Sequence, residues 1–259
     1  MDLYDTFARY YDADVAGFSA DIAVYRDLAR QTGGPILELM CGSGRILLPL
    51  ALEGYTLTGV DLAAPMLELA RARLAAAGLT GRVTLIHGDA RSVALPGPRF
   101  AMAILAFNSF SHMEQIADQL AVLAVARRAL KRNGLLVIDL LNIGPAQLAA
   151  AGSPIPLASY QLDDRHISKT VIYRSDPAMQ INDVTFHYEE RTADGATSCK
   201  ETHFRMRWFN RFEIEHLLAR AGFTVRGIYG SYDFTPYTAE SPLLLVIASP
   251  ASKKRLGGA

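Results

Sequence analysis

Polar side chains close four successive apolar runs, and their types suit recognition of a nucleoside. Asp61 ends the run 55–60, 17 residues after Gly44. A carboxylate at such a strand end can accept both hydroxyls of a ribose. Asp89 follows the run 82–87 and precedes the small Ala90. Its carboxylate can accept a hydrogen bond from an exocyclic amine of the kind adenine carries. Asn108 and Ser109 close the run 101–107. Ahead of all three lies the stretch from Pro35 to Leu47, in which an apolar run enters Gly42-Ser43-Gly44 and emerges with helical spacing at Ile46, Leu47, Leu50 and Ala51. Gly42 and Gly44 permit a sharp turn and a close approach by a ligand. Taken singly, each polar residue is explained by a helix cap or a turn. Set together on one sheet edge, they describe a site for an adenosine-bearing ligand.

The elements that must carry these residues alternate. Strands are expected at 36–40, 55–60, 82–87, 101–107 and 135–141, with helices at 45–53, 64–77 and 115–131 between them. Asn133-Gly134 reads as the turn into the fifth strand. A helix at 211–221 and strands at 223–230 and 242–249 complete the pattern. The fold class expected is α/β: a doubly wound, seven-stranded, mostly parallel Rossmann-like sheet. Two further segments depart from it. Residues 1–34 carry Phe7, Tyr10, Tyr11, Phe18 and Tyr25 at helical spacing and predict one or two amphipathic helices, as a cap or a tyrosine-lined lid. The segments 166–174, 180–191 and 198–209 alternate apolar and polar residues, with the hairpin signal Asp194-Gly195 between the last two. The expected organisation is therefore a helical cap over 1–34, a Rossmann-like domain over 35–153 and 210–250, an antiparallel β-insert over 154–209, and a disordered tail over 251–259. The insert would pack one face on the main domain or on a partner chain.

Composition narrows the function classes. The 26 basic and 26 acidic residues cancel, which argues against a nucleic-acid footprint. Two cysteines, Cys41 and Cys199, imply neither a disulfide framework nor a zinc site. No spacing of His, Cys or Asp suggests a metal. The first residues lack the pattern of a signal peptide, and no apolar run reaches the ~18 residues of a membrane helix. A soluble, cytoplasmic protein with a small-molecule partner is expected.

The motifs together resemble the class I S-adenosylmethionine-dependent methyltransferases. Glu38-Leu39-Met40-Cys41-Gly42-Ser43-Gly44-Arg45 is similar to their first motif. Gly59-Val60-Asp61-Leu62, His87-Gly88-Asp89-Ala90 and Phe107-Asn108-Ser109-Phe110 are similar to the next three. Met40 departs from the pattern, standing where the family usually has its first glycine. The resemblance implies S-adenosylmethionine as cofactor and assigns roles. Glu38 would order the glycine loop near the methionyl ammonium, and Gly42 and Gly44 would line the methionine arm. Asp61 would hold the ribose. Leu62 and Met66 would pack near the adenine, and Asp89 would bond its amino group beside Ala90. The backbone at Phe107 and Asn108 would approach the methionyl group. An N-terminal tyrosine would cap the cofactor carboxylate. Tyr4 and the Tyr10-Tyr11-Asp12 stretch both fit, with Tyr10 or Tyr11 favoured. The insert resembles that of small-molecule N-methyltransferases, where such strands roof the acceptor site or build a homodimer.

An amine acceptor must lose a proton before it attacks, and His112, just past the fourth strand, is the best-placed base. A hydrogen bond to a loop carbonyl is the plainer role for it. Asn108 stands beside it at the reacting end. Asp233 and the tyrosines at 229, 232 and 237 are candidates for holding a cationic group. O-methylation of a small molecule is the alternative within this class. Outside it, a nicotinamide oxidoreductase lacks the third glycine of its fingerprint here, and a non-catalytic cofactor-binding module is open as well.

Overall fold

The computed structural model describes residues 3–252 apart from Pro96 and Pro98; the side chains of residues 3–6 and of Ala146 fall outside that description. The Tyr4 side chain and the tail beyond Ser252 therefore lie outside the described residues.

The main sheet forms from β1 (Ile36–Leu39), β2 (Leu57–Asp61), β3 (Val83–His87), β4 (Phe100–Leu105), β5 (Leu130–Leu141), β10 (Phe223–Tyr229) and β11 (Leu243–Pro250). Their order across the sheet is β10-β11-β5-β4-β1-β2-β3. Neighbouring strands from β3 to β5 pair in parallel, while β11 runs antiparallel to both β5 and β10. Strand β1 is buried at every position, and so is β4. Helices cover both faces, so β4 reads as an unbroken apolar run and β1 as one interrupted only by Glu38. The twofold alternation of the strands splits the core. Leu37, Ala103, Leu136 and Val246 face α5 (Ile116–Ala129) and α7 (Arg211–Arg220). Ile36, Met102, Val137 and Leu245 face α2 (Ile22–Thr32), α3 (Leu47–Leu52) and α4 (Ala64–Ala76). Helix α7 begins on a reciprocal capping pair, Asn210 with Glu213.

Three boundaries differ from the sequence expectation. Strand β5 begins at Leu130 and runs through Asn133-Gly134, which accommodates a register shift opposite Phe100 and Met102 rather than opening the strand. The insert contains four strands, not three. It is built from β6 (Ile155–Leu162), β7 (Arg165–Asp176), β8 (Ile181–Thr192) and β9 (Thr197–Arg207), in sequential antiparallel order. Strand β6 is half exposed and lacks a clean apolar stripe, so alternation does not mark it. Finally, the two N-terminal helices are not one cap. Val24, Tyr25 and Leu28 bury α2 against the main sheet. Only α1 (Leu3–Val15) meets the insert, through Tyr10 and Phe7 against Ile167, Tyr188 and Phe186.

Candidate active site

The loops at the carboxyl ends of β1, β2 and β4, the turn after β3, helix α1 and the roofing strands of the insert enclose one cavity of about 630 Å³. That volume lies within the range of roughly 300–1,000 Å³ typical of small-ligand sites. Glu38, Asp61, Asp89 and Asn108 all line it. So do Tyr11, Gly42, Leu62, Met66, Ala90, Phe107 and His112.

The glycine loop needs its glycines. Gly42 and Gly44 adopt φ +53° and +75°. A Cβ on Gly42 would stand 3.2 Å from the Met66 side chain, and one on Gly44 would stand 3.2 Å from the Ala70 side chain. Met40 also takes a left-handed conformation, φ +59°, which accounts for a glycine being usual there. Its side chain packs against the core while still edging the cavity. Gly44 itself braces the loop from behind and does not line the cavity. The loop is tied to β2 where the Gly42 N–H donates to Asp61 Oδ2 at 2.7 Å, and the Ala63 N–H donates to Asp61 Oδ1 at 2.9 Å.

Beneath the loop, Glu38 is 3% exposed, and among the described residues its Oε2 has no hydrogen-bond partner. Burial pushes its carboxyl well above the usual range, with Arg45 opposing and Asp21 and Asp61 adding to the rise. An orphaned carboxyl oxygen facing a cavity is a site for a cation or a donor. Asp89 is differently placed. Arg91 clamps it through Nε and Nη2 at 2.6–3.0 Å, and the Arg91 backbone N–H adds a bond at 2.8 Å. The Arg91 side chain holds the Asp89 carboxyl below its ordinary value.

The turn after β4 carries two consecutive left-handed residues, Phe107 (φ +50°) and Asn108 (φ +61°). The Asn108 side chain is engaged by the main chain, accepting the Leu141 N–H at 2.5 Å through Oδ1. It braces the turn against β5. His112 ends the following 3-10 turn, Ser109–His112. Burial pushes its imidazole down to about 4, so it is neutral at physiological pH and a weak base. Its ring lies 5.7 Å from that of Phe204 in the roof.

The two candidate tyrosines of α1 separate. Tyr11 lines the cavity near Arg45, and burial pushes its phenol up to about 12. Tyr10 does not reach the cavity. It stacks on Tyr188 at 4.2 Å and donates to Glu190 Oε1 at 2.7 Å, because neighbouring helical residues point about 100° apart. The expectation that Tyr10 caps a cofactor is corrected: it docks α1 on the insert. Asp233 is absent from the lining and accepts from Ser231. Cys41 is buried, and desolvation raises its thiol well above the usual value, which disfavours the thiolate.

Sequence reasoning did not single out Asp14, Lys169 and Phe186, which line the cavity together with Phe7. One signal was available. Lys169 alternates with Ile167 and Val171 on the buried face of β7, and a lysine in an apolar register is uncommon.

Comparison with known proteins agrees with this geometry. A methyltransferase-domain family model matches residues 36–134. The cypemycin N-terminal methyltransferase of a Streptomyces species is 30% identical over 234 residues, covering 90% of this chain and 88% of that protein. The chain belongs to the S-adenosylmethionine-dependent methyltransferases. Its cofactor is S-adenosylmethionine. Another relative of this methyltransferase is the dTDP-3-amino-3,6-dideoxy-alpha-D-glucopyranose N,N-dimethyltransferase of Streptomyces fradiae, 26% identical over 88% of this chain and 85% of that one. The fold of the CcbJ methyltransferase from Streptomyces caelestis superposes with a TM-score of 0.79 at 23% identity, covering 95% and 96% of the two chains. Among the described residues of this methyltransferase, no helix is long and apolar enough to cross a membrane.

Proposed function

We propose that this methyltransferase methylates an amine nitrogen of a small molecule held beneath the β-insert. One observation carries the reading: the carboxylates of Glu38, Asp61 and Asp89 share a single cavity with His112 and the rings of Phe7, Phe186 and Phe204. The first group suits the cofactor, and the second suits an acceptor. The names of the two relatives, both acting at nitrogen, support the same choice.

S-adenosylmethionine supplies a methyl group already activated on a sulfonium. The protein's part is position and exclusion of water. Glu38, with its free Oε2, accepts from the methionyl ammonium. Asp61 takes the ribose hydroxyls while keeping its backbone bonds to Gly42 and Ala63. Leu62, Met66 and Ala90 pack beside the adenine. Asp89, whose oxygens now accept from Arg91, would also accept from the adenine amine. Tyr11 replaces Tyr10 as the residue that caps the cofactor carboxylate. The left-handed backbone at Phe107 and Asn108 would stand beside the methionyl group.

The His112 imidazole, which burial pushes down to about 4, is neutral and can accept an N–H and orient a free amine; an acceptor that arrives as an ammonium must first lose its proton to water. The face of the insert away from α1 is the surface that a homodimer would use. Two unpaired cysteines suit a reducing, cytoplasmic location.

The test is methyl transfer from labelled cofactor to a panel of primary amines and their matching alcohols. Label on the amines is expected. Transfer to the alcohols alone would overturn the assignment.

A further inference from the structure

The roof of the cavity holds a charged group that the transfer itself does not require. Lys169 Nζ lies 2.6 Å from Asp14 Oδ2, with side-chain exposures of 8% and 5%. Asp14 also accepts from the Tyr160 hydroxyl at 2.7 Å and the Tyr188 hydroxyl at 2.8 Å, which hold it in place. Lys169 is not saturated. Its ammonium sits 3.8 Å from the centre of the Phe186 ring and 5.3 Å from that of Tyr188, and among the described residues Asp14 is its one oxygen partner. An ammonium has three donors. Burying such a pair adds little to stability, since desolvation offsets the attraction.

Lys169 faces the same space as the reacting end. The rings of His112 and Phe204 are 5.7 Å apart, those of Phe204 and Phe186 are 5.1 Å apart, and Phe186 carries the ammonium. All four side chains line the cavity. The remaining cations of the lining are committed elsewhere: Arg45 to Asp21 at 2.5 Å and Arg91 to Asp89 at 2.6 Å. Among the described residues, no cation of the lining is left without a carboxylate. A polyanionic acceptor would therefore meet the Asp14 carboxylate in the roof with no spare positive side chain of the lining to hold it.

We propose that Lys169, fixed by Asp14 and backed by Phe186, recognises a single carbonyl-type oxygen of an otherwise apolar amine, and that the cavity rejects acceptors bearing a diphosphate. This rests on the amine reading above. The class it selects is an amine that also carries a carbonyl, on a body that fits among Phe7, Phe186 and Phe204. The α-amine of an amino-acyl amide is the simplest example.

Three probes at equal free-amine concentration test it: phenylalaninamide, phenethylamine and a thymidine-diphosphate amino sugar. The wild type is expected to use phenylalaninamide with a kcat/KM roughly 10-fold or more above phenethylamine, the size of one charged hydrogen bond, and to leave the nucleotide sugar unmethylated. Lys169→Met is expected to erase the difference between the first two, mainly through KM, while S-adenosylhomocysteine affinity stays within about twofold by calorimetry. If Lys169→Met does not fold, Asp14→Asn with Lys169→Met removes both charges and is expected to behave alike. Equal use of phenylalaninamide and phenethylamine by the wild type, undiminished discrimination in a folded variant, or preference for the nucleotide sugar would each overturn the assignment of Lys169 and leave N-methylation standing. Failure to methylate any amine while S-adenosylhomocysteine binds would remove both readings.

Discussion

Asp139, near the end of β5, accepts the backbone N–H of Phe107 at 3.1 Å, fastening the left-handed turn that edges the cavity. Tyr232 donates to the same oxygen at 2.9 Å, and Tyr25 is 3.4 Å away. Among the described residues the other oxygen, Oδ1, has no hydrogen-bond partner. A fixed turn thus hangs on a buried carboxyl whose pKa burial raises to about 6, despite the Tyr232 and Phe107 hydrogen bonds.

That shift has a definite sign. An unfolded aspartate ionises near 3.9. Between about pH 4 and 6 the folded state holds the extra proton, so this group's contribution to stability falls as pH rises through that window. His112 acts in the opposite direction. Its folded pKa of about 4 lies below the unfolded value near 6.5, so its contribution rises with pH between 4 and 6.5. The two largely cancel in the wild type. Asp139→Asn is expected to steepen the rise of stability from pH 4 to 6.5, and His112→Gln to turn it toward a fall. Urea denaturation of the three proteins across this range reads the difference, on the order of 2–3 kcal/mol for each group. Parallel curves would refute it.

Glu38 should couple cofactor binding to a proton. Its carboxyl is held well above the usual range by burial, and an arriving ammonium lowers it again. Binding of S-adenosylhomocysteine is therefore expected to release protons and to tighten as pH rises. Calorimetry in buffers of different ionisation enthalpy measures the release, which Glu38→Gln should abolish.

Asp61→Ala removes a carboxylate that braces Gly42 and Ala63 as well as one expected to take the ribose. S-adenosylhomocysteine affinity should fall by 1 kcal/mol or more, roughly the worth of a charged hydrogen bond. Unchanged affinity in a folded variant would remove Asp61 from the ribose.

Tyr10→Phe and Tyr11→Phe should part company. The first leaves the buried Glu190 without one of its donors and is expected to cost about 1 kcal/mol of stability, with cofactor affinity unaltered. The second should weaken the cofactor and leave the melting temperature nearly unchanged. The reverse pattern would restore Tyr10 to the site.

The order of elements and the cofactor end of the cavity are legible in the amino-acid sequence. Asp61 is the last residue of β2, and Asp89 and Asn108 follow within three residues of the ends of β3 and β4, so their placement on one sheet edge is a local matter. The glycine loop is equally local, since positive φ at Gly42 and Gly44 is a property of those residues. What only the tertiary structure decided is the roof of the cavity. Asp14 and Lys169 are 155 residues apart, and their pairing depends on α1 docking against an insert formed much later in the chain. The same docking sent Tyr10 to Glu190 and left Tyr11 in the cavity. Spacing along a chain specifies which residues share a face; which face closes over which is set by long-range burial, and no local pattern encodes it.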